Sequence, residues 1–558
     1  MNLPTMVKSA ISACAMGLAG MPVGAADVPV PPARVNNPDI TQIELLAAWT
    51  QITPDQLPGR VVGARVPGVE LRYVVTLPSG DANAACATYQ VAGAQSGTTV
   101  KARATLSGHT RDADGKSGFI RGDAYKVAVC QIALDQSAQT VKINRNGKVA
   151  ELYQGTPGST AKARAQLAGP AQLGARTDAG KTLSAVFMSD TGCRGKYETP
   201  KHKKFSRYWQ DCLSKDPNTY PDHPGVIYGF GDLAGRVAGK RPDFIMHGGD
   251  HHYFYEDADY WFGAPNRFEY WLQEFLVPAQ PMLLVSPFVF VRGNHERCDA
   301  QWSGEGWYEL FGPGDQATCP TGGVGPWSAP WSFSIAPRND QSVDEYTIYV
   351  IDSSQPGLAQ ANGAFGPTRQ GQHYVANPSG AGRNKLWLTH YPPVKEEYYS
   401  GGTHDIGDRS IRHAVADALS KGCADTSCWP NAVLAGHQHL FQHLQIFEDQ
   451  SDVLMDVVIA GHGGTRWDRS YMPGIDGGSG PYLKTLKCGT DYTGRTAILP
   501  SSSGKTIKAD VTTVTQYGFV TLTRHKNSQK TPMGWKMGLE WYPQDSAPTE
   551  VLSANSCD

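Results

Sequence analysis

The sequence predicts an α/β protein, in which a β-rich N-terminal domain and linker over residues 27–180 precede a larger domain over residues 181–558. Three observations predict this. Between 27 and 180, short β-branched runs alternate with Gly, Asn, Asp and Ser clusters, which is strand-and-turn punctuation. After Thr182 the runs become short, continuous and apolar, as expected of strands buried on both faces of an α/β sheet. Helical periodicity then appears between those runs.

Taken in order, the chain opens on a signal peptide, residues 1–26. Lys8 supplies a small positive region, residues 10–21 are apolar and small, and Val23-Gly24-Ala25-Ala26 offers a cleavage site before Asp27. The protein is therefore expected to be exported, either periplasmic or secreted. Strands are predicted at 71–77 (LRYVVTL), 98–106 (TTVKARATL), 125–134 (YKVAVCQIAL) and 139–143 (QTVKI). Asn144-Arg145-Asn146-Gly147 reads as a hairpin tip, because Asn-Gly tolerates positive φ. Residues 161–180, rich in Ala, Gly and Gln, read as a linker or loose helix. The buried strands of the second part are expected at 183–188, 244–246, 288–291, 346–351, 386–388, 433–435 and 453–460. Phe268, Trp271, Leu272, Phe275 and Leu276 share one helical face, closed by Pro278. Ile411, Ala414, Val415, Ala418 and Leu419 repeat that pattern, with Gly422 as C-cap. Late strands at 519–522 and 535–541 are assigned to the same sandwich.

Composition narrows the function classes. Hydrophobic residues at 40% and charged residues at 18% describe an ordinary globular chain. A formal charge of -2 supplies no basic field for nucleic acid, so none is expected as partner. After the signal peptide no run approaches the roughly 18 apolar residues of a transmembrane helix. Eleven cysteines less Cys14 leave ten, an even number. Their neighbouring couples (86/130, 193/212, 298/319, 423/428, 488/557) predict five sequential disulfides, and no C-x-x-C pair speaks for metal.

Five of the apolar runs end at polar groups able to bind a metal. They lead to Asp190-Thr191-Gly192, to Gly249-Asp250-His251-His252-Tyr253, to Gly293-Asn294-His295-Glu296, to His390, and to Gly436-His437-Gln438-His439. Ligands bind beyond the carboxyl ends of strands in open α/β sheets, so five strand ends deliver these groups to one place. Carboxylate, amide oxygen and imidazole suit Zn, Fe or Mn, whereas calcium would avoid the imidazoles. Two such ions about 3.5–4 Å apart, bridged by a carboxylate, can bind a phosphoryl group, acidify a water and stabilise the leaving oxygen. Glycines before Asp250, Asn294 and His437 allow sharp turns at the strand ends.

This motif order resembles that of the calcineurin-like metallophosphoesterases over roughly residues 183–470. Where the wider family has D-x-H, this chain has Asp190-Thr191-Gly192, and Gly249-Asp250-His251-His252-Tyr253 matches G-D-x-x-Y. That combination is similar to the purple acid phosphatases. Trp387-Leu388-Thr389-His390 departs from the family's V-x-x-H by lacking the valine. The resemblance implies a four-layer αββα sandwich with two metal ions. One would be held by Asp190, Asp250, Tyr253 and His439. The other would be held by Asp250, Asn294, His390 and His437. A tyrosinate ligand implies iron in the first site, with Zn, Mn or Fe in the second.

The expected activity is hydrolysis of a small phosphate monoester by in-line attack of a metal-activated hydroxide. His295 is the candidate proton donor to the leaving group, and Arg194 and His252 are candidate contacts to phosphate oxygens. Glu296 is expected to fix its loop, Arg292 and Arg297 to form salt bridges, and His462 to line the pocket. Two other readings stand beside this one. A phosphodiesterase would use the same metal pair, and a surface- or carbohydrate-binding protein would carry a vestigial phosphatase domain.

Overall fold

The structure is a computed structural model. It describes residues 38–54, 67–109, 123–153, 163–175, 180–193, 229–253, 267–298, 303–320, 328–354, 385–393, 397–398, 404–405, 430–448, 453–465, 483–491, 507–514, 517–527 and 533–542. Two large sheets dominate them. The nine-stranded sheet runs Lys536–Tyr542, Tyr517–Arg524, Leu183–Met188, Phe244–His247, Phe288–Phe290, Leu45–Ile52, Val69–Thr76, Ala124–Ala133, Lys101–His109. The eight-stranded sheet runs Trp331–Ile335, Tyr346–Val350, Lys385–Leu388, Ala432–Ala435, Val453–Ala460, Phe441–Glu448, Ile507–Val514, Leu483–Asp491.

The central strands of both sheets are parallel. Met188 pairs with His247 and His247 with Phe290 in the first sheet. In the second, Leu388 pairs with Leu434 and Leu434 with Val458. Parallel pairing brings the carboxyl ends of neighbouring strands to one edge, and the motif loops leave from that edge. These strands are apolar and buried along their length, as buried parallel strands must be.

Side chains from both sheets share one core, with Ala185, Phe187, Phe244 and Val289 from the first and Phe333, Ile335, Leu386 and Leu434 from the second. A second core lies on the outer face of the nine-stranded sheet, where Val186, Met188, Ile245 and Phe290 meet helices. These are Phe230–Lys240, Phe268–Trp271, Gln280–Leu283 and Gly304–Phe311. The expected helix on the apolar face of residues 268–276 is α-helical only to Trp271 and continues as a π-turn over Leu272–Leu276. Pro278 does not end the helical path, since another turn comes after it at Gln280–Leu283. The result is a mixed α/β sandwich. The helix expected at 411–422, the candidate for the opposite outer layer, lies outside the described residues.

The N-terminal strands do not stop at a boundary near residue 180. Leu45–Ile52 pairs in parallel with Phe288–Phe290 through Gln51 and Phe288, and antiparallel with Val69–Thr76. The β-rich N-terminal region therefore extends the same sheet that carries the motif loops. A smaller sheet of Gln90–Ala92, Thr140–Arg145, Lys148–Val149 and Gln166–Ala168 completes the region. Its hairpin turns at Asn146 (φ 52°) and Gly147 (φ 74°), the positive-φ pair the Asn-Gly sequence predicts. Cys86–Cys130 and Cys298–Cys319 are bonded as expected. Cys193 is disulfide-bonded too, while the other expected couples fall wholly or partly outside the described residues. No helix among the described residues is long and apolar enough to cross a membrane.

Candidate metal centre

The strand ends hold their side chains in costly backbone conformations. Five non-glycine described residues have positive φ, and Asp190 (55°), Asp250 (56°) and His437 (71°) are three of them. Such conformations cost on the order of 1–3 kcal/mol each and persist where a site over-determines them. The loops also approach too closely for side chains at two glycines. A Cβ on Gly293 would lie 2.1 Å from Asp250 Oδ1, and one on Gly436 would lie 2.0 Å from Ser189 Oγ and 2.6 Å from Asp190 Oδ2.

Two groups of side chains converge. In the first, the Tyr253 hydroxyl lies 3.0 Å from Asp190 Oδ1, 2.9 Å from Asp250 Oδ2 and 2.9 Å from His439 Nε2. Ligand atoms of Asp190, Asp250 and His439 all fall within 4.8 Å of one another, and all three residues are buried. In the second, Asn294 Oδ1 is 2.9 Å from both His390 Nε2 and His437 Nδ1. Asp250 Oδ2 is 3.4 Å from His390 Nε2 and so joins the two groups. Carboxylates, imidazoles, an amide oxygen and a phenol form a donor set suited to divalent or ferric ions.

Comparison with known proteins agrees with this geometry. Residues 183–441 match the family model described as calcineurin-like phosphoesterase. That match spans the stretch holding all five motifs. Among solved structures it is similar to PhoD, at 10% identity and TM-score 0.40, with 92% of this chain and 88% of that one covered. It is also similar to GAP50, "the anchor in the inner membrane complex of Plasmodium", at 13% identity and TM-score 0.33, covering 66% and 87%. A third is the calcineurin-like phosphoesterase YfkN from Bacillus subtilis, at 12% identity and TM-score 0.20, covering 66% and 93%. No curated protein matches the sequence.

Buried carboxylates brace the motif loops. Glu296 accepts backbone N–H groups from Gly293 (2.8 Å), Asp250 (3.0 Å) and His251 (2.8 Å), tying the second and third motifs together. It therefore fixes its loop, as expected. Glu274, on the π-turn, accepts from Cys193 (3.0 Å) and Tyr253 (2.8 Å), tying the first motif to the second. Arg292 pairs with Asp352 at 2.6 Å, the salt bridge expected of it. The sequence motifs do not reach Glu274, which lies off the apolar face of its helical segment and so carries no local signal.

Imidazole tautomers follow from the neighbours. The Gly248 carbonyl can only accept, so His390 Nδ1, 2.8 Å away, carries the proton and Nε2 is left toward Asn294. Burial disfavours the charged form of His390, but the carboxylates of Asp250 and Asp190 outweigh it and push the pKa up to about 9. That value belongs to the metal-free protein, in which Nε2 keeps a proton that a bound ion would displace.

The remaining candidates are placed differently. His295 lies beside the centre, its ring 4.0 Å from that of Tyr253 and its Nε2 3.8 Å from Asp250 Oδ2. His252 is buried edge-on against Trp271 at 4.3 Å, and burial lowers its pKa to about 4. A neutral imidazole held in this way could contact a phosphate oxygen only as an N–H donor, not as a cation. His462 is buried against Phe441, with its pKa lowered by burial to about 3, which makes it a packed core group. Arg194 lies outside the described residues.

Proposed function

We propose that this chain is an exported phosphatase that hydrolyses small phosphate monoesters at a pair of metal ions. Asp190, Asp250, Tyr253 and His439 would hold one ion. Asp250, Asn294, His390 and His437 would hold the other, with Asp250 shared. The observation that carries the reading is the convergence on the Tyr253 hydroxyl, with three potential ligand atoms at 2.9–3.0 Å. When bound, the ions would supply Lewis-acid activation of water and of the phosphoryl group.

The chain's own residues do the positioning. Glu296 and Glu274 clamp the three loops, so the carboxylates arrive pre-organised. His390 presents Nε2 because its other nitrogen is committed to Gly248. His295, whose side chain is 10% exposed, would deliver the proton to the leaving oxygen. Monoester preference rests on the likeness of the D-x-G and G-D-x-x-Y pair to purple acid phosphatases. The same likeness puts ferric iron beside Tyr253 and Zn, Mn or Fe in the second site. Export is supported by the disulfides, which form in oxidising compartments.

The test compares p-nitrophenyl phosphate with its bis ester. The reading expects turnover of the monoester to exceed that of the diester, and the reverse order would replace it with a phosphodiesterase. A visible charge-transfer band lost in Tyr253→Phe would establish the tyrosinate. A colourless active protein would remove Tyr253 and iron from the proposal.

A further inference from the structure

Exposure is uneven among the candidate ligands. Asp190, Asp250 and His390 are 0% exposed, Tyr253 is 1% and His439 is 3%. Asn294 and His437 are part-exposed, and so is one neighbouring aromatic, Tyr391. Its ring lies 3.8 Å from that of His437, tilted by 35°, and 5.4 Å from that of His390. Tyr391 thus stands next to one of the more exposed candidate ligands, His437.

The backbone that carries this ring is also anchored. Ser353 Oγ accepts the backbone N–H of Tyr391 at 2.8 Å and of His390 at 3.2 Å, and receives the Thr389 hydroxyl at 2.7 Å. One hydroxyl thus anchors the backbone of both His390 and Tyr391. Pro392 is next in the chain, and the residue before a proline is confined to extended conformations. A tyrosine side chain has only two χ angles and loses little entropy when a flat group stacks on it.

Resting on the phosphatase reading, we infer that Tyr391 is a specificity-determining residue that supports the leaving group of the substrate. It favours phosphate esters of planar, aromatic alcohols over those of small aliphatic ones. The phosphoryl group itself does not need it.

Calorimetric binding of phenylphosphonate and of inorganic phosphate to the metal-loaded protein tests this without turnover. Tyr391→Ala should weaken phenylphosphonate about 3- to 10-fold, the range of an aromatic contact, and leave inorganic phosphate within about twofold. Tyr391→Phe should keep the wild-type preference. In steady state, Tyr391→Ala should raise KM for p-nitrophenyl phosphate with little change in kcat, and leave KM for glycerol 2-phosphate unchanged. Equal weakening of both ligands, together with lower metal content, would show that Tyr391 only props His437 and would overturn the inference alone. Failure of the wild type to bind either ligand would overturn the phosphatase reading as well.

Discussion

Glu296→Gln tests whether the loops are clamped by a buried anion. The carboxylate accepts from Asp250 and Gly293 through Oε2, and from His251 through Oε1. A glutamine can keep one oxygen in place of Oε2, but its NH2 then faces the His251 N–H, and that bond is lost. Hydrogen bonds to a charged group contribute about 1.5–3 kcal/mol each, so one loss and two weakened bonds amount to roughly 3 kcal/mol. Burial raises the pKa of Glu296, but hydrogen bonding and attraction from His251 outweigh it, leaving the pKa below its ordinary 4.5. A depressed folded-state pKa gives stability that is present above 4.5 and lost as pH falls below it. Urea unfolding at neutral pH and at pH 3–4 measures both effects. The variant should lose about 3 kcal/mol at pH 7 and show a shallower acid decline than wild type. Wild-type stability at pH 7 with full activity would refute the clamp.

The same geometry has other consequences. Gly436→Ala places a methyl 2.0 Å from Ser189 Oγ and 2.6 Å from Asp190 Oδ2, so metal content and turnover should both fall, as elemental analysis and kinetics would show. Replacing Cys86 and Cys130 with alanine opens a 44-residue link and should cost about 4 kcal/mol by chain entropy, read from denaturant midpoints. His462 is depressed from 6.5 to about 3, so the folded state resists its protonation and stability declines as pH falls through that window. The fall attributable to it is roughly 5 kcal/mol, and His462→Gln should flatten the acid arm of a stability–pH profile.

The strand ends that carry the candidate centre are legible in the sequence, because a short apolar run between polar residues marks a buried strand and the motifs follow such runs. The glycines before Asp250, Asn294 and His437 carry a further signal, since the backbone does turn sharply there and two ligands take positive φ. What the sequence hides is pairing between distant segments. Leu45–Ile52 (LLAAWTQI) has little β-branching and does not read as a strand, and only its neighbours Val69–Thr76 and Phe288–Phe290 make it one. Without that strand the N-terminal region looks separate from the sheet it extends. Position in a motif does not reveal burial either: His252 packs against Trp271, which comes from a different element.

The most direct test of the central claim is the number of metal ions bound per chain, measured by elemental analysis of purified wild type and Asp250→Ala. A shared carboxylate predicts two ions in the wild type and at most one in the variant. Two ions retained without Asp250, or none bound by the wild type, would contradict it.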